Sequence, residues 1–71
     1  MKVQALLNQL KNNFDEVNNN TRIEITKVTK PKEYKSFLNI DKVNQSYYSK
    51  KKVKDWYFNH YRNELIIELE V

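Results

Sequence analysis

Val3, Leu6, Leu7, Leu10, Phe14 and Val17 recur at three- and four-residue intervals, with Gln, Asn, Lys, Asp and Glu among the residues between them. At 3.6 residues per turn these six side chains form one apolar stripe, which predicts an amphipathic helix over residues 2 to 17. Asn18, Asn19 and Asn20 end it, because Asn tolerates the left-handed conformation that closes helices. The stripe reads as core, since a chain of 71 residues has few other apolar faces to bury.

The rest of the chain alternates. TRIEITKV, residues 21 to 28, points Ile23 and Ile25 one way and Arg22, Glu24 and Thr26 the other, which reads as a half-buried strand. Pro31 and its Lys neighbours break it. YKSFLNI, residues 34 to 40, is a weaker strand with Leu38 and Ile40 as its inward pair. Residues 41 to 52 show no clean period and read as a loop with room for one helical turn. ELIIELEV, residues 64 to 71, is the clearest strand, with Leu65, Ile67, Leu69 and Val71 on one face.

YYSKKKVKDWYFNHYRN, residues 47 to 63, supports two readings. As a helix it aligns Val53, Trp56, Tyr57, His60 and Tyr61; as a strand it puts Trp56, Phe58 and His60 on one face. The strand is favoured. Lys50, Lys51 and Lys52 would oppose the macrodipole at a helix N-terminus. A hairpin turning on Arg62 and Asn63 would set Phe58 against Ile67 and Trp56 against Leu69. That register also sets Asp55 against Glu70, and the turn contains no Gly, so a longer loop stays open. The expected architecture is α+β, a single small domain over residues 1–71. An N-terminal amphipathic helix packs on a small antiparallel sheet of three to four strands that ends in a C-terminal hairpin.

Composition removes several function classes. There is no Cys, hence no disulfide framework, thiolate metal site or thiol nucleophile, in keeping with a reducing compartment. There is no Gly, which removes the phosphate-cradling loops that need close backbone approach. No apolar run reaches membrane-spanning length, and residues 1–14 lack the h-region of a signal peptide, so no membrane partner and a cytoplasmic location are expected. Asn and Lys make up 21 of 71 residues, whereas Gly, Ala, Pro and Arg total four. That bias follows AT-rich codons and points to a low-GC bacterium, or to a phage or plasmid within one.

Catalysis is not expected. His60 is the only His, Asp15 and Glu16 look solvated, and Ser36, Ser46 and Ser49 have no base motif beside them. No catalytic, cofactor or metal residue is assigned, and no cofactor is expected. Charge is the stronger signal. Residues 27 to 54 carry nine Lys against Glu33 and Asp41, while residues 55 to 71 carry Arg62 against Asp55, Glu64, Glu68 and Glu70. A basic middle favours polyanions or an acidic protein partner. The predicted binding surface is Tyr47, Tyr48, Lys50, Lys51, Lys52, Lys54, Tyr57, Tyr61 and Arg62. Single-strand binders combine such a positive groove with aromatics on which bases stack. Tyr, Trp and Arg are equally the favoured anchors of protein interfaces, and an open sheet edge can accept a strand from a partner or from a second copy in a homodimer. The scarcity of Arg and the Glu residues beside Tyr57 argue against nucleic acid.

The opening MKVQALLNQL, the strand TRIEI and the closing NELIIELEV resemble small uncharacterised accessory proteins of phages and prophages of low-GC Gram-positive bacteria. The resemblance covers the two ends of the chain and not its Lys- and Tyr-rich middle. It implies an accessory product of a mobile element. Some small phage proteins of this kind block host defence, CRISPR nucleases included, by binding a host protein. It assigns a role to no residue here. The expected function is therefore binding to a host protein that is modulated or inhibited. The alternative is a basic accessory protein that binds nucleic acid, single-stranded or without sequence preference.

Overall fold

The computed structural model describes residues 1–70. Helix α1 (Val3–Asn13) is followed by strands β1 (Arg22–Lys27) and β2 (Glu33–Phe37), a short helix α2 (Ile40–Asn44), a 3-10 turn (Tyr47–Lys50), and the hairpin β3 (Val53–Asn59) and β4 (Glu64–Leu69). The strands form one sheet in the order β2-β1-β4-β3. β1–β2 and β3–β4 are antiparallel, and the central pair β1–β4 is parallel, so the α+β fold carries a mixed sheet. The most apolar strands take the two central places, where both edges are paired and Ile23, Ile25, Leu65, Ile67 and Leu69 can all be buried.

Val3, Leu6, Leu7 and Leu10 close over that face as the stripe predicts. Each such burial is worth about 1.5–3 kcal/mol against leaving the side chain in water. The helix stops four residues short of its expected end. Asn13 turns its side-chain amide onto the Gln9 carbonyl at 2.7 Å, and Phe14 is extended (φ −132°, ψ 120°). Asn favours such local backbone bonds over helix continuation. Val17 still reaches the core, but through a turn. The buried Thr21 hydroxyl fastens it, donating to the Glu16 carbonyl and accepting the Asn18 N–H, both at 3.0 Å.

The strand expected at 34 to 40 ends at Phe37, and its inward pair is wrong. Phe37 faces the core opposite Ile23; Leu38 is 64% exposed. Ile40 is buried as the first residue of α2, not as a strand residue. Asn39 causes the change: its Oδ1 accepts the Lys42 N–H at 3.0 Å and so caps a helix where alternation suggested more strand. The segment read as a loop thus holds two helical turns, α2 and the 3-10 turn capped by Ser46, packed on each other and on α1. They carry the chain over the sheet from β2 to β3.

The hairpin forms in a register shifted by two residues. Phe58 pairs with Leu65 and Trp56 with Ile67, and Asp55 meets Glu68 and not Glu70. The loop spans residues 60–63, because Asn59 Oδ1 takes the N–H groups of Tyr61 and Arg62, and Asn63 adopts φ 47°. A two-residue slip keeps every side chain on its face, so Trp56 and Phe58 still lie on the helix side. Val71, expected on the face of Leu69, lies outside the described residues.

Candidate functional site

The predicted surface is divided by the sheet. Lys50, Lys51 and Lys52 lie at the start of β3, while Tyr61 and Arg62 occupy the loop at its far end. Those ends are about 20 Å apart at the rise of a strand. Tyr57 stands on the opposite face from Trp56, beside Glu24, Glu68, Tyr34 and Lys32. Tyr48 is half-buried against Phe37, their rings edge-to-face at 5.9 Å, and serves the core. Tyr47 and Lys51 are brought together; the other predicted residues are not gathered onto one surface with them.

Lys54 is the extra residue of a β-bulge between Val53 and Asp55. In unbroken register Lys54 would sit opposite Leu69 on the covered face. The bulge places Val53 there instead and turns Lys54 to solvent, so apolar burial sets the irregularity.

Beside the bulge runs an apolar groove between α1 and β3. Four strands span about 15 Å, whereas one helix covers about 10 Å. Because α2 packs on β1 and β2, the uncovered strip falls along β3. Phe14, 48% exposed, and Trp56, 38% exposed, face each other across it. The groove continues past Leu10 to Phe58 and His60 at one end and past Leu6 to Met1 at the other, in two stretches of about 290 and 520 Å³. The rings of Phe58 and His60 meet edge-to-face at 4.9 Å.

Both sheet edges are blunted. On β3 the Val53 N–H is taken by the Met1 carbonyl at 2.8 Å, the bulge bends the strand at Lys54, and Asp55 Oδ1 accepts the Trp56 N–H at 2.8 Å. On β2 Lys35 lies opposite Ile25, a charge on the core-side face of an edge strand. These are the devices by which sheets resist strand addition. The edge that the sequence offered for pairing with a partner or a second copy is therefore poorly suited to it.

At the end where β1 and β4 finish, Lys27, Lys30 and Lys51 converge with Glu33 and Glu70 around a concavity of about 450 Å³. Lys51 Nζ sits 4.3 Å from the centre of the Tyr47 ring. A hydrogen bond from Lys51 and then its charge hold the Tyr47 phenol below the ordinary tyrosine value; desolvation opposes them, and the charge of Lys27 adds the least.

No protein-family model matches this chain, and no curated protein and no solved structure matches it.

Among the described residues no helix is long and apolar enough to cross a membrane. Nor does any group of three or more His, Asp or Glu side chains among them stand where it could hold a metal ion. The sequence reading missed Phe14, Trp56 and Met1 as surface, assigning the first two to the core. Phe14 carried a usable signal: it is the last large residue of the stripe and is followed closely by turn-forming Asn, where the helix was due to end. Lys27 and Lys30 were also missed, because only folding brings them beside Lys51.

Proposed function

We propose that this chain is a protein-binding module that seats a partner in the groove between α1 and β3. The observation that carries the reading is the pair Phe14 and Trp56, two large aromatics left part-exposed together in the lining of one groove. Aromatic anchors in a concave, part-desolvated setting are the usual hot spots of protein interfaces. The blunted edges favour a groove ligand over an added strand. The likeness of the chain's two ends to phage and prophage accessory proteins supports the narrower reading. In that reading the partner is a host protein met in the host cytoplasm, and binding modulates or inhibits it, as a counter-defence protein does. The test is capture from low-GC Gram-positive lysates with the native chain and with Phe14→Ser, both checked by circular dichroism. A protein retained by the native chain and lost with the folded variant supports the groove. Equal retention by both places the binding surface elsewhere.

One observation favours a second reading, nucleic-acid binding: Tyr47, 69% exposed, stands against Lys51 beside Lys27 and Lys30. A base could stack on that ring while the lysines meet phosphate. Anisotropy of labelled single- and double-stranded oligonucleotides across a salt series tests it. Binding that falls steeply with log salt and weakens with Lys51→Glu would replace the protein reading.

A further inference from the structure

The sheet face turned away from α1 has the opposite charge from the chain as a whole. The chain carries 13 Lys and Arg against 9 Asp and Glu. Alternation and register put Glu24 of β1, Glu64 and Glu68 of β4 and Asp55 of β3 on this face, with Arg22 as its one basic strand residue among the described residues. Asp55 stands opposite Glu68, and Arg22 lies beside Glu64. Over the two central strands the face holds a concavity of about 350 Å³. Thr26 and Ile66, both buried, lie beneath it, with Glu24 and Glu68 beside them. The Thr26 hydroxyl donates to Glu24 Oε2 at 3.3 Å. Tyr34 and Tyr57, both exposed, line it from the two outer strands. Lys32 reaches in from the β1–β2 connection, its Nζ 5.3 Å from the centre of the Tyr34 ring.

We propose that this face docks an arginine-bearing segment of a partner protein, whose guanidinium enters the concavity lined by Tyr34, Tyr57, Glu24 and Glu68. The face lies on the other side of the sheet from the groove and does not depend on it. Charge selects a cation. Four carboxylates share the face with one Arg, and Asp55 and Glu68 repel each other until a positive group neutralises them. The mixture of ring and carboxylate selects Arg over Lys. A guanidinium is planar, stacks on a tyrosine face and offers paired N–H donors to a carboxylate, whereas an ammonium is a point charge. Lys32 beside Tyr34 shows that a cation is accommodated there. The lysine-rich end of a second copy fits less well, because Glu33 and Glu70 stand among its lysines. The blunted edges direct the segment across the face and not onto β2 or β3 as an added strand.

The probes are synthetic peptides of about six residues, long enough when extended to cross a four-stranded sheet. One carries a central Arg, a second Lys and a third citrulline, which keeps the shape of Arg without its charge. Spermine is the small-cation control. Binding to the full chain is followed by amide chemical shifts. The expected result is that the Arg peptide moves the amides of Glu24, Tyr57 and Ile66 and binds about tenfold more tightly than the citrulline form, with the Lys form between them. The ratio should shrink as salt screens the charges. Glu24→Gln with Glu68→Gln, still folded by circular dichroism, should remove the preference. Tyr57→Ser should weaken the Arg peptide, and Phe14→Ser should leave it unchanged. Equal binding of the Arg and citrulline forms overturns the proposal, as does binding that survives the paired Gln substitutions. Spermine binding as tightly as the Arg peptide overturns it in favour of a small polycation. Self-association in sedimentation that disappears with the paired Gln substitutions, without peptide binding, overturns it in favour of a second copy. Binding lost with Phe14→Ser and kept in the Gln variant assigns the peptide to the groove and overturns it too. If no peptide binds, the proposal falls and the groove reading stands untouched.

Discussion

Asp55 holds the Trp56 N–H at 2.8 Å on an edge strand while standing opposite Glu68 on the neighbouring strand. The pair of carboxylates is unfavourable by a few tenths of a kcal/mol, as like charges across a sheet are. What that carboxylate does is occupy an amide that another strand would otherwise use. Edge strands are commonly protected at some cost to stability. Asp55→Thr should therefore leave the monomer as stable or up to about 0.5 kcal/mol more stable, with a β-former in place of a repelling charge. It should also raise self-association, seen as a concentration-dependent rise in sedimentation coefficient. An unchanged monomer across the concentration range would show that Asp55 does not guard the edge.

Among the described residues Asn63 is the one with positive φ, at 47°. A Cβ-bearing residue without a short polar side chain resists this conformation. Asn63→Ala should cost about 1–2 kcal/mol, while Asn63→Gly should keep the loop with little loss. Urea unfolding of the two variants decides it. Equal destabilisation would mean that the side chain of Asn63, and not its backbone conformation, matters.

Leu7 and Phe14 share one stripe but differ in burial, 0% exposed against 48%. Leu7→Ala should cost about 2–5 kcal/mol and leave a domain of this size largely unfolded. Phe14→Ala should cost far less, about 1 kcal/mol, and keep the native circular dichroism spectrum. A comparable loss from both would mean that Phe14 packs as core and is not presented to a partner.

Tyr47 should ionise below an ordinary tyrosine, because Lys51 bonds and attracts its phenolate. Lys51→Gln should return the titration upward, read by ultraviolet absorbance of the phenolate against a Tyr47→Phe control. A phenol whose folded pKa is lowered adds stability only where it is ionised. That contribution is full above the unfolded value, is lost as pH falls through the folded one, and is absent near neutrality. A Tyr47 titration unmoved by Lys51→Gln would contradict the contact.

Much of this fold was legible because periodicity reports burial locally. The stripe of Val3, Leu6, Leu7 and Leu10, and the alternation of Ile23 with Ile25 and of Leu65, Ile67 and Leu69, each fix a face without reference to any other element. The choice of strand over helix for residues 53 to 59 also followed from local terms, the lysines at the would-be helix start and the apolar face of the last strand. Side-chain caps were harder to read. Asn39 and Asn59 each hold neighbouring amides, ending one strand early and lengthening one loop, and they outweighed the alternation at Leu38 and the two-residue turn.

The sequence by itself determined that this chain is one helix on a sheet with a C-terminal hairpin, and which faces of those elements are apolar. Only the tertiary structure decided that β1 lies parallel to β4, that Lys27 and Lys30 meet Lys51, and that the lysines of residues 50 to 54 are separated from Tyr61 and Arg62. It alone decided that Phe14 and Trp56 are left over at the surface. Burial patterns say which side of an element faces inward. How far one helix reaches across four strands depends on the widths of both layers and on where the crossover passes, and no local run of residues encodes either.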